Sequence, residues 1–101
     1  MLTSKQRAYL RGLANGIETI LYIGKGEITE NIIKQADDAL TARELIKGKT
    51  LENSSYSPRE SAEIIAEGTS SEVVQVIGSK FVLYRQNPDE PVITLPKAKS
   101  K

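Results

Sequence analysis

Ile17-Glu18-Thr19-Ile20-Leu21-Tyr22-Ile23-Gly24-Lys25-Gly26-Glu27-Ile28-Thr29 is the stretch on which the fold turns. Ile17 to Ile23 is β-branched and apolar, and reads as a strand. Gly24-Lys25-Gly26-Glu27 follows as a tight loop. Thr29 then caps a helix over about residues 30–43, with Ile32, Ile33, Ala36 and Leu40 inward and Glu30 in the first turn, where an acid suits the helix dipole. A strand that feeds directly into a helix is the unit of an α/β domain.

Upstream, residues 3–14 read as a helix with Gln6, Leu10, Leu13 and Ala14 on one face and Tyr9 beside them. Asn15-Gly16 ends it, since both residues tolerate the left-handed conformation. Downstream, Glu44 to Leu51 reads as a second strand, with Gly48 marking a bulge or a close backbone approach. Ser57-Pro58-Arg59-Glu60 is a capping box with proline at the first helical position. The helix it opens runs to about Glu67, buries Ala62, Ile65 and Ala66, and stops at Gly68. Val73–Ile77 and Lys80–Arg85 form a hairpin across Gly78-Ser79. Val92 to Leu95 reads as a short last strand. The expected fold is a two-layer α/β domain of order α-β-α-β-α-β-β, a mixed four-stranded sheet with helices packed on it.

The chain has 101 residues, which fits one domain over 1–96 and a basic, flexible tail over 97–101. No apolar run is long enough for a membrane span, and the first residues lack a signal-peptide pattern, so the cytoplasm is expected. Cysteine and histidine are both absent. That removes disulfides, thiol nucleophiles, the common zinc sets and the commonest general base. Asp37 and Asp38 are adjacent and diverge on a helix, and no base accompanies the serines and threonines. The reading is therefore non-enzymatic, with no cofactor, no metal and no small-molecule substrate.

Net charge is +1, but it is unevenly placed. Residues 52–72 carry Glu52, Glu60, Glu63, Glu67 and Glu72 against Arg59, which leaves the remainder of the chain basic. Lys5, Arg7 and Arg11 lie in the first helix, and Lys97, Lys99 and Lys101 near the end. Such a split gives one basic and one acidic side, or an ordinary solvated surface. The loop at Gly24-Lys25-Gly26-Glu27 has two readings. One is a turn joining strand to helix; the other is a phosphate contact made by backbone N–H groups, the helix N-terminus and Lys25. It matches neither the Walker A nor the dinucleotide spacing. Tyr22, just before the loop, fits either a base stack or a half-buried strand position, and Tyr84 fits core or rim.

Five segments in order carry a family resemblance: Leu2-Thr3-Ser4-Lys5-Gln6-Arg7 with Leu10-Arg11; Gly24-Lys25-Gly26-Glu27-Ile28-Thr29; Glu44-Leu45-Ile46-Lys47; Val74-Gln75-Val76-Ile77-Gly78; and Val82-Leu83-Tyr84-Arg85. Together they resemble the CRM domain, the chloroplast RNA splicing and ribosome maturation family, in its free-standing bacterial YhbY type, over about residues 2–96. The resemblance implies a fold similar to the C-terminal domain of translation initiation factor three. It also implies binding to rRNA of large ribosomal subunit precursors and help in their assembly. It places a KH-like Gly-x-x-Gly loop at residues 24–27. RNA contacts then fall on Gly24, Lys25, Gly26 and Glu27, flanked by Lys5, Arg7 and Arg11. The chain departs from the pattern at Glu27, where the family has its second loop glycine. A carboxylate there repels phosphate, and Gly26 shifts the turn by one residue. The alternative function is a protein-interaction module that docks on a ribosomal protein or assembly factor through the acidic third helix, at Glu63 and Glu67.

Overall fold

A computed structural model describes residues 2–26 and 28–96. Thr3 and Gln6 open the first helix, α1 (Ser4–Ala14), by a reciprocal cap. The Gln6 N–H donates to Thr3 Oγ1 at 3.1 Å, and the Thr3 N–H donates to Gln6 Oε1 at 3.1 Å, satisfying two otherwise orphaned donors. The remaining elements are β1 (Thr19–Ile23), α2 (Glu30–Arg43), β2 (Leu45–Thr50), α3 (Pro58–Thr69), β3 (Glu72–Ile77) and β4 (Lys80–Tyr84). The caps read at Thr29 and Ser57 are both present, the second as a full capping box with Glu60.

The four strands form one mixed sheet in the order β1-β2-β4-β3, parallel between β1 and β2 and antiparallel elsewhere. The α/β class and the mixed four-stranded sheet agree with the sequence reading. The helices are shared between the sheet's two faces. Strand alternation divides β4 between two cores. Phe81 and Leu83 join Leu21, Ile23 and Ile46 beneath α2 and α3, which contribute Ala36, Leu40, Ala62 and Ile65. Val82 and Tyr84 join Leu45 and Val74 on the opposite face, beneath Leu10 and Ala14 of α1.

Several boundaries differ from expectation, each for a local reason. Asn15 keeps a right-handed conformation (φ −61°). Asn15, Gly16 and Ile17 donate instead to the carbonyls of Gly12, Leu13 and Ala14 at 3.3, 3.1 and 3.3 Å, so the helix tightens out rather than reversing. Gly68 does not stop α3. It sits inside the helix against Ile33, where a Cβ would lie 3.0 Å from Cδ1, and the left-handed cap is Ser70 (φ 57°). Residues 92–95 form no strand. Their backbone turns inward to a carboxylate: Val92 and Ile93 N–H donate to Glu44 Oε1 at 2.8 and 2.7 Å, and Asn87 N–H donates to Glu44 Oε2 at 2.6 Å. Glu44 is therefore not the first residue of β2. It caps α2 with φ 67° and is fully buried. The tail expected over 97–101 lies outside the described residues.

Gly48 is a close approach. It pairs with Phe81 on β4, and a Cβ there would lie 2.4 Å from Phe81 Cζ. Tyr84 belongs to the core, where its hydroxyl has no hydrogen-bond partner among the described residues. Burial, and then the Glu44 carboxylate, push its phenol above the usual 10.0. A group whose folded value is raised loses stability as pH climbs past its unfolded value. Tyr84→Phe is therefore expected to be neutral or to gain up to about 1 kcal/mol at neutral pH, and to remove part of the stability loss above pH 10. Urea unfolding in the two pH ranges checks both.

Candidate nucleic-acid interface

The loop after β1 occupies one end of the sheet. There the Leu51 N–H donates to the Ile23 carbonyl at 2.8 Å, and the Thr50 N–H donates to the Ser79 carbonyl at 2.7 Å. The loop, the turn after β2 and the β3–β4 turn thus share this end. Gly24 lies against Leu51 and Asn53, where a Cβ would fit at ordinary contact distance. Gly26 is different, with φ +92° and open space about it, a backbone that L side chains rarely adopt. Lys25 between them is exposed, without an ion pair among the described residues. The first turn of α2 follows, with Ile32 N–H donating to Thr29 Oγ1 at 3.4 Å. Glu27, the departure from the family loop, lies outside the described residues.

The three cations of α1 do not act alike. Lys5 is exposed, and Arg11 is half-buried with no side-chain partner among the described residues. Arg7 turns inward onto β3, the outer strand of the sheet. Its guanidinium donates to the Val73 carbonyl and, at 3.3 Å, to the Val74 carbonyl, and lies 3.9 Å from Glu72 Oε1. Glu72 pairs with Tyr84, and Tyr84 with Leu45, at the end of the sheet away from the loop. The structure therefore does not bring Arg7 to residues 24–26. Arg85, part of the resemblance, is likewise structural: it donates to Asp37 Oδ1 at 2.6 Å, to the Thr69 carbonyl at 2.7 Å and to Thr41 Oγ1 at 2.8 Å, tying α2 to α3.

The sequence reading passed over Lys47, Lys49 and Lys80, which sit within strands. The available signal was the spacing of Lys47 and Lys49 across Gly48, since a period of two puts both on one face. Glu63 and Glu67 stand exposed on α3, Glu63 within 3.7 Å of Arg59. Tyr56 and Ile64 lie beside them. Among the described residues no helix is long and apolar enough to cross a membrane.

Comparison with known proteins adds to this geometry. A Bacillus subtilis protein named "Probable RNA-binding protein YqeI" is 42% identical over 96 residues, 95% of this chain and 100% of its own length. A Haemophilus influenzae protein named "RNA-binding protein" is 32% identical over 95% of this chain and 96% of its own. The solution structure of SAV1595 from Staphylococcus aureus, described as a candidate RNA-binding protein, superposes with a TM-score of 0.78 at 53% identity, covering 95% of this chain and 100% of that one. The model of the CRS1/YhbY (CRM) domain matches residues 2–85, and with an exposed lysine between two glycines after β1 the chain belongs to that family.

Proposed function

We propose that the chain binds RNA, namely rRNA of large-subunit precursors, and assists assembly in the cytoplasm without catalysis. The observation that carries this reading is the loop. Lys25 stands exposed beside Gly26 ahead of α2, without an ion pair among the described residues, in a chain whose relatives are named for RNA binding. The positive backbone of the loop, the helix N-terminus and Lys25 all favour phosphate. Lys5 and Arg11 add further charge without a side-chain partner among the described residues, whereas Arg7 is held by β3. Ribosomal RNA follows from the YhbY-type resemblance.

The test is affinity against salt concentration for a pool of large-subunit rRNA fragments. Lys25→Glu is expected to weaken binding about tenfold at low salt and to flatten the log–log slope by about 0.7–0.9, the share of one phosphate contact. Binding that is weak and indifferent to both salt and Lys25→Glu would overturn this reading. It would favour the second one, in which Glu63 and Glu67 receive a basic segment of a ribosomal protein or assembly factor.

A further inference from the structure

The face of the sheet that α1 covers is only partly covered. Leu45, Val74, Val82 and Tyr84 pack under the helix. Towards the loop end, register sets one residue from each strand in a single row: Tyr22 pairs with Lys49, Lys49 with Lys80, and Lys80 with Ile77. With strands about 4.8 Å apart the row spans about 14 Å. Tyr22 is 55% exposed and Ile77 61%. Lys47 lies on the same face one row back, opposite Val82.

Three features of this row are not explained by stability. Lys49 and Lys80 stand directly opposite each other, a like-charge cross-strand pair that is unfavourable on its own. Neither they nor Lys47 has an ion-pair or hydrogen-bond partner among the described residues, and the acid on this face of the strands, Glu72, sits at the far end with Arg7. The second feature is the irregularity between Thr19 and Leu21, which puts Tyr22 on the face of Thr19 although the two are an odd number of positions apart. A bulge of this kind re-aims a side chain. The third is the ring itself. Tyr22 Oη donates to the Thr19 carbonyl at 3.4 Å, so the ring lies back along its own strand while more than half of the residue stays exposed.

We propose that this row is a subsite for single-stranded RNA, in which a base stacks on Tyr22 while Lys49 and Lys80, with Lys47 behind them, hold the phosphates that follow. Unpaired lysines supply charge complementarity to a polyanion, and an exposed flat ring beside them selects an unstacked base over a duplex. The inference rests on the RNA-binding reading above and extends it from the loop to the sheet.

The probe is a fluorescein-labelled single-stranded RNA decamer, free or annealed to its complement, read by anisotropy. Tyr22→Ala is expected to weaken the single strand about tenfold, to leave the duplex unchanged, and to keep the salt slope. Tyr22→Phe is expected to restore the affinity. Lys49→Gln with Lys80→Gln is expected to lower the slope by about 1.4, two contacts to a single strand. The chain has no tryptophan, so Tyr22→Trp gives one fluorophore whose emission a stacked base should quench. Single-strand affinity that survives Tyr22→Ala, or a Tyr22→Trp chain that binds without quenching, overturns the subsite. If Lys25→Glu still weakens binding in that case, the RNA reading stands alone. A wild-type chain that binds neither form overturns both.

Discussion

Glu44→Ala is expected to destabilise the chain by about 3–4 kcal/mol, the range for removing one partner of a buried charged network, and so to lower Tm by about 15–20 °C. The carboxylate accepts from Asn87, Val92 and Ile93, and charge-assisted bonds of this kind are stronger than neutral ones. Alanine leaves the three amide donors without an acceptor. It also keeps a side chain at φ 67°, where the backbone is strained whatever the residue. The loss should be concentrated locally, because Ile93 and Leu95 reach the core under α1 only while the amides before them are held. Hydrogen exchange should show Val92 and Ile93 unprotected in the variant. Glu44→Gln separates charge from shape: one oxygen can still accept, but its amide group meets a donor where the carboxylate met one. A Glu44→Ala chain with wild-type stability and protected amides would show that residues 87–93 are held by something else.

Gly48→Ala is the second large effect, at about 3 kcal/mol, the upper part of the range for overpacking a core. The added Cβ would lie 2.4 and 2.6 Å from Phe81 Cζ and Cε1. Phe81 is fully buried within the main core cluster, so its ring has nowhere to retreat. A larger β-branched residue, which strand propensity alone would favour, should be worse still: Gly48→Val is expected to prevent folding. Pairing Gly48→Ala with Phe81→Leu should recover part of the loss, and additive losses in that double variant would mean the contact is not the cause.

These two positions show what one sequence reveals of a fold and what it hides. Helix starts and the tight turn, each set by a few adjacent residues, were readable, whereas the helix ends read at Asn15-Gly16 and Gly68 were not. Thr29 and Ser57 cap where their side chains suggest, and the hairpin turns at Gly78-Ser79. Gly48 was readable as a bulge or a close approach without a choice between them, and nothing near it names Phe81, because the pairing is set by register across β2 and β4. Glu44 was not readable at all. It read as the first residue of a strand, and its donors come from the far end of the chain. Val92 to Leu95 misled for the same reason, since an apolar run of that length suits a strand until its amides find a different acceptor. At the candidate site, Lys25 and its glycines stood out locally. The row of Tyr22, Lys49 and Lys80 needed both the register and the irregularity in β1.

Arg7 has a consequence that reaches beyond this molecule. An outer strand offers unpaired backbone groups to any other chain that can extend alongside it, the usual beginning of sheet-to-sheet aggregation. On β3 the carbonyls of Val73 and Val74 are already occupied by the guanidinium, at the point where the strand's register slips. A side chain that charge alone assigns to RNA thus helps keep neighbouring copies of the protein apart.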